Sequence, residues 1–203
     1  IILGLLQEQG IDTSGVEQQE QYTTVLKHRM IAGHTHLLRM DLDPPSGSVV
    51  RQEGLIDFLK KTIPRVDAVL ISDYGKGLLG NSMLRTIAAL CKTHHIPALC
   101  DPRRNIDFEI YQDFTLIKPN RAETEAAVGF PLIDQDSILR AAHKLKYEAD
   151  LEYVVISLDQ DGMLLFRQAN DYQFLKTETQ EVFDVVGAGD MVISVLAYLL
   201  AGG

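Results

Sequence analysis

From residue 46 onward the hydrophobic positions switch repeatedly between a helical period and short runs that are apolar throughout. Leu55, Ile56, Leu59 and Ile63 mark one face of a helix that Pro64 ends, and residues 66–72 follow as a short apolar strand. Met83, Leu84, Ile87, Leu90 and Cys91 keep helical spacing across residues 81–95, and the next strand is expected over 97–101. Another strand covers 115–118, followed by a helix that opens at 119–123 and is closed by Gly129. Ile138, Leu139, Ala142 and Leu145 mark one more helix, and strands over 153–157 and 163–166 flank a turn at 158–162. Residues 181–186 read as a last strand, which passes through Gly187-Ala188-Gly189 straight into an apolar helical run. Helices alternating with short buried strands predict an α/β fold with a mostly parallel sheet between helical layers.

The first part of the chain reads differently. Residues 2–9 look like the end of a helix stopped by Gly10, and 11–16 form a loop. Residues 22–31 and 37–42 are rich in β-branched and apolar side chains and are joined by 32–36, which predicts an antiparallel hairpin within 17–43. His34-Thr35-His36 could be half of a metal site, but no further ligands stand at a plausible spacing, so the histidines are expected at an exposed tip. Such a hairpin has one apolar face open to solvent and invites a second copy, so a homodimer is expected through it.

Composition narrows the function. With 203 residues and 46% hydrophobic content the chain can bury a substantial core as one domain. A net charge of -9 argues against nucleic acid and against anionic membranes as partners. No apolar run approaches the roughly 20 residues of a membrane span. Cys91 and Cys100 sit in apolar company and are expected to be reduced, which suggests the cytoplasm. The chain opens at Ile1 and closes on Gly202-Gly203 directly after an apolar helix, so it reads as a piece of a longer protein, incomplete at both ends.

The chemistry gathers where strands end. At the glycine junction the first helical N–H groups lack internal partners, and glycine lets an anion approach the backbone closely. Asp190 stands inside the same positive helix end, where an anion binder would gain nothing from it. That pairing suggests phosphoryl transfer, with the amides of Gly187, Ala188 and Gly189 as the anion hole and Asp190 as the base. No lysine follows the glycines, which excludes a Walker loop, and Val192 stands where a dinucleotide fingerprint needs its third glycine. Asp73-Tyr74-Gly75-Lys76-Gly77 lies at a strand's carboxyl end and offers an acid, a base and turn glycines. Asp101-Pro102-Arg103-Arg104 ends another strand, and its arginines could meet a substrate phosphate or be surface charge. Asn120 and Glu123 have the spacing of a capping box.

Taken together these stretches resemble the ribokinase-like (PfkB) carbohydrate kinases. Asp184-Val185-Val186-Gly187-Ala188-Gly189-Asp190 is similar to that family's glycine signature, and the wording of 181–190 and of 71–77 is most similar to its heptose 7-phosphate kinases. The resemblance implies a three-layer αβα fold in which 46–203 form the nucleotide-binding core and 17–43 a small β lid over the sugar. It implies Asp190 as catalytic base, Asp184, Asn120 and Glu123 at magnesium and phosphates, largely through water, and Asp73, Lys76, Asp101 and Arg103 at the substrate. Ser157 and Gly162 match the family's nucleotide-bordering turn, in which Asp159 replaces a glycine; Val186 and Met191 also depart from the usual residues. The activity implied is ATP- and Mg2+-dependent phosphorylation of the anomeric hydroxyl of D-glycero-β-D-manno-heptose 7-phosphate. The alternatives are a kinase of another sugar or nucleoside, or a kinase-like binding module that has lost catalysis.

Overall fold

The computed structural model describes residues 1–19, 22, 24–33, 35–43, 52–104, 107–177 and 187–202. The strand expected over 181–186, with Asp184 and Val186, lies outside the described residues, as does His34 at the hairpin tip. The chain forms two compact units, 1–62 and 63–203.

In the first unit, α1 (Ile2–Glu8) ends before Gly10, whose φ of 71° is a conformation that favours glycine. Strands β1 (Leu26–Ala32) and β2 (Thr35–Leu42) pair antiparallel, and a register shift at Met30/Ile31 leaves Leu37 as the extra residue. The pairs Leu26/Leu42, His28/Met40 and Met30/Leu38 put apolar residues on one face, while Lys27/Asp41 and Arg29/Arg39 put charges on the other. The residues of β1 are exposed, as are Leu38, Met40 and Leu42 on the same face of β2. Helix α2 (Glu53–Thr62) groups with this unit, and its Phe58 ring occupies the space that a Cβ on Gly15 would need. Pro64 ends α2 as its spacing predicts, and the chain continues as a short 3-10 turn, Ile63–Arg65.

The second unit is built on a six-stranded sheet whose order follows the sequence: β3 (Val69–Ser72), β4 (Ala98–Asp101), β5 (Leu116–Ile117), β6 (Tyr153–Ser157), β7 (Met163–Gln168) and β8 (Asp171–Leu175). The first four are parallel, and the last two add antiparallel at the edge. Their connections carry α3 (Asn81–His94), α4 (Arg121–Val128) and α5 (Gln135–Glu148). Cys100, Ile117, Val154 and Phe166 are in register on one face, and all are buried. Leu99, Leu116 and Val155 lie on the other face, where Ile193 and Ala197 of α6 (Ala188–Ala201) close the core. Truncating one of these buried leucines should cost about 2–5 kcal/mol. The buried residues of α3 and α5 are not part of the α6 cluster, so the sheet lies between two helical layers.

Helix ends follow local chemistry. Asn120 and Glu123 form a reciprocal capping box at α4: Asn120 Oδ1 accepts from the Glu123 N–H and Glu123 Oε2 from the Asn120 N–H, each at 2.9 Å. Gly129 closes α4 at φ 79°, and α3 stops at His95, which takes a left-handed conformation. Cys91 and Cys100 are free and buried, as their apolar neighbours predict. Among the described residues no helix is long and apolar enough to cross a membrane.

Candidate active site

Four parallel strands deliver their carboxyl ends to one edge of the sheet, and the charged residues singled out by sequence meet there. Asp73 follows β3, Asp101 ends β4, Lys118 and Asn120 follow β5, and Ser157 ends β6, its N–H donating to the Pro119 carbonyl at 3.0 Å.

The turn after β3 is held by Asp73. Its buried carboxylate accepts from the Gly75 N–H at 2.9 Å and from the Tyr111 hydroxyl at 2.9 Å, with Arg103 Nε 3.7 Å away. The Tyr111 hydroxyl in turn accepts from the Arg103 N–H at 3.1 Å, which ties the loop after β3 to the loop after β4. Burial pushes the Tyr111 hydroxyl far above its ordinary pKa, so it stays a neutral donor. Gly75 has φ 65°, and a Cβ there would press on the Arg103 side chain. Asp73 and Arg103 are thus occupied with each other and with Tyr111, while Lys76 is half-buried in the same loop.

Beside this assembly stands the start of α6. Gly187 is its N-cap at φ 80°, with no side-chain cap, so the N–H groups of Ala188, Gly189 and Asp190 precede the first intrahelical bond, which Met191 makes to the Gly187 carbonyl at 2.9 Å. Asp190 is exposed, and its charge acts on the hydroxyl of Tyr74. Partial burial first, then the charges of Asp190 and Asp101, raise the Tyr74 pKa, which keeps it protonated as a donor.

Under the first turn of α6 lies an ion pair. Lys118, whose side chain is only 4% exposed, places Nζ 3.1 Å from Asp101 Oδ1. A Cβ on Gly189 would sit 3.4 Å from Lys118 Nζ and 3.6 Å from Asp101 Oδ2. Burial raises the Asp101 pKa, against the pull of Lys118, and the Asp190 charge adds to the rise. Glu123 is also raised, first by burial and then by Asp101, with Lys118 and Arg104 opposing. Arg104 Nε lies 3.7 Å from Glu123 Oε1. Asp101, Glu123, Asp190, Tyr74, Lys118 and Arg104 therefore share one electrostatic neighbourhood.

The turn after β6 has a structural reason for its pattern. Asp159 sits at φ 55°, the left-handed region that aspartate tolerates better than most residues, and Gly162 at φ 93°. A Cβ on Gly162 would collide with the Leu175 carbonyl, so glycine there lets β8 pass. Arg121 braces the same turn, donating to Asp161 Oδ2 at 2.6 Å and to the Leu132 carbonyl at 2.7 Å.

Sequence reasoning passed over Lys118 and Tyr111. Lys118 had a signal: it is a charged residue closing an apolar strand that is flanked on both sides. Tyr111 had none, because its partner Asp73 is 38 positions away.

Comparison with known proteins agrees with this geometry. The whole chain, residues 1–203, matches the model of the pfkB family carbohydrate kinases. Among curated relatives, the bifunctional protein HldE of Geobacter metallireducens is 38% identical over 205 residues, covering 100% of this chain and 41% of its own length. HldE of Wolinella succinogenes is 38% identical over 203 residues, covering 100% and 42%. The chain thus spans about two fifths of the length of these relatives. Among solved structures, phosphofructokinase-2 from Escherichia coli in complex with potassium superposes with a TM-score of 0.79 at 19% identity, over 99% of this chain and 65% of that one.

Proposed function

Because the chain belongs to the pfkB family of carbohydrate kinases, and so is a phosphotransferase with an alcohol acceptor, we propose that it phosphorylates the anomeric hydroxyl of D-glycero-β-D-manno-heptose 7-phosphate with ATP. The relatives named HldE and the heptose-kinase wording of residues 71–77 favour that acceptor. The observation that carries the mechanism is the exposed Asp190 in the first turn of a helix whose first N–H groups have no side-chain cap.

Asp190 accepts the hydroxyl proton as the sugar oxygen attacks, and the Tyr74 hydroxyl orients the receiving carboxylate. The N–H groups of Ala188, Gly189 and Asp190 take the charge that develops on the transferring phosphoryl oxygens, and Gly187 shapes the approach. Asp101 and Arg103 frame the substrate side, with Lys76 beside them and Asp73 fixing the loop. Ser157 and Gly162 border the nucleotide, and Asp184 joins the phosphate side.

Magnesium, when bound, lends positive charge to the ATP oxygens. Among the described residues, the donors fit it as outer-sphere ligands. Asn120 Oδ1 and Glu123 Oε2 are engaged in the capping box, and among the described residues no group of three acids, histidines or cysteines could hold a metal directly. A cation that keeps most of its waters needs no more than Glu123 and Asn120 facing those waters.

The protein acts in the cytoplasm as a homodimer, joined through the apolar face of the hairpin, where Leu26, Met30, Leu38, Met40 and Leu42 are exposed. Light scattering of wild type and Met30→Lys should show the dimer and its loss; an unchanged mass would remove that interface.

The reaction is tested by coupled ADP release from the full-length protein over a panel of sugar phosphates. Turnover with the heptose 7-phosphate above all others is expected. Preference for another sugar or a nucleoside would reassign the acceptor. Nucleotide binding without turnover on any acceptor would make the protein a binding module.

A further inference from the structure

The mechanism above has no task for Lys118, although it is the most deeply buried cation of the site. It follows β5, which is flanked by β4 and β6, and its side chain is buried beside Gly189 of α6. Its N–H donates to the Cys100 carbonyl at 2.9 Å, which fixes its backbone against β4. A buried ion pair seldom stabilises a fold more than an apolar pair of similar size would. The position of this one is what needs a reason: Lys118 Nζ and Asp101 Oδ1 are 3.1 Å apart, and the space beside Gly189 opens onto both side chains.

Asp190 stands in the first turn of α6, Asp101 lies beside that turn and Glu123 of α4 feels the Asp101 charge, so three carboxylates share the site. Two are unavoidable in the reading above, one as the base and one as a cap. Asp101 lies directly under the turn whose N–H groups would receive phosphate, so an uncompensated charge there would repel the nucleotide at close range. We propose that Lys118 is an electrostatic positioning residue that cancels Asp101 beneath the first turn of α6, so that a polyphosphate reaching the N–H groups of 188–190 meets a neutral floor. The inference rests on reading that turn as the phosphate site.

Because the role is electrostatic, it fixes the sign of three substitutions. Affinity for ADP with magnesium, without sugar, is measured by calorimetry on the full-length protein. Lys118→Met bares the Asp101 charge and should weaken ADP by about tenfold or more. Asp101→Asn leaves the ammonium facing the phosphates and should tighten ADP by about threefold. The double variant removes both charges and should return to within about threefold of wild type. A packing role predicts instead that all three weaken binding. ADP bound more weakly by Asp101→Asn, or no better by the double variant than by Lys118→Met, overturns the proposal. If Lys118→Met does not fold, the other two variants decide alone, since neither carries an unpaired buried carboxylate. A wild type that binds no ADP would remove the phosphate site itself, and the inference with it.

Discussion

Asp73 and Asp190 stand at the same edge of one sheet and have opposite surroundings. The Asp73 side chain is 1% exposed and spends its oxygens on Gly75, Tyr111 and Arg103. Asp190 is exposed on the first turn of a helix, with Tyr74 beside it. An acid whose hydrogen bonds are all internal can set the shape of a loop but cannot change partner during a reaction. The exposed one keeps a lone pair for a hydroxyl proton. The contrast supports the proposal that gives the chemistry to Asp190 and the architecture to Asp73, although both belong to stretches with equally strong sequence signals.

Substituting each acid by its amide separates the two roles. Asp190→Asn should lower kcat by at least about 100-fold in the coupled assay, with folding and ATP binding little changed. A near-normal rate would dissolve the contrast. Asp73→Asn should do the reverse in kind: a loss of about 1–3 kcal/mol in urea unfolding, because an amide meets the Tyr111 and Gly75 donors less well than a carboxylate does. Tyr111→Phe probes the same loop from the other side and should cost about 1–2 kcal/mol. If it left stability intact, the link between the loops after β3 and β4 would carry no weight. Tyr74→Phe should lower kcat by less than about tenfold, since it removes a polar neighbour of the proposed base and leaves the carboxylate in place.

The smallest expected effect concerns Glu123. Its pKa is raised in the folded state, chiefly by burial, so the folded protein holds this proton more tightly than the unfolded chain. Stability from this group is therefore gained as pH falls through the raised folded value, and the ionised form costs stability above it. Glu123→Gln should raise the melting temperature of the unliganded protein by about 1–3 °C at neutral pH, and the gain should vanish in acid. A lower melting temperature at neutral pH would mean that the carboxylate's bond to the Asn120 N–H outweighs its burial.

The sequence made helices and buried strands legible because their patterns are local. The face of α3, the Pro64 stop and the Asn120–Glu123 box each need only neighbours within a turn or two. Strand β8 left no such mark: it is an edge strand whose residues are exposed apart from half-buried Phe174, so neither alternation nor a solid apolar run identifies it. The strand starts at 66 and 115 were read early because apolar residues in the preceding turns continue the runs, whereas pairing begins at Val69 and Leu116. At the site, Gly187 and the acid in the first turn of α6 were legible from glycines that open an apolar helical run. The Asp73–Tyr111 bond was not, since nothing local to either residue announces a partner on another element.

Helix α6 covers β3 and β4, yet it comes later in the chain than all six strands of that sheet. While the chain is being synthesised, Leu99, Leu116 and Val155 emerge long before Ile193 and Ala197 exist to cover them. The apolar side of the young sheet is thus a temporary surface for chaperones or for misassembly. The helix that shelters it also carries Asp190, so on the proposed mechanism the protein cannot become reactive until that half of its core is closed.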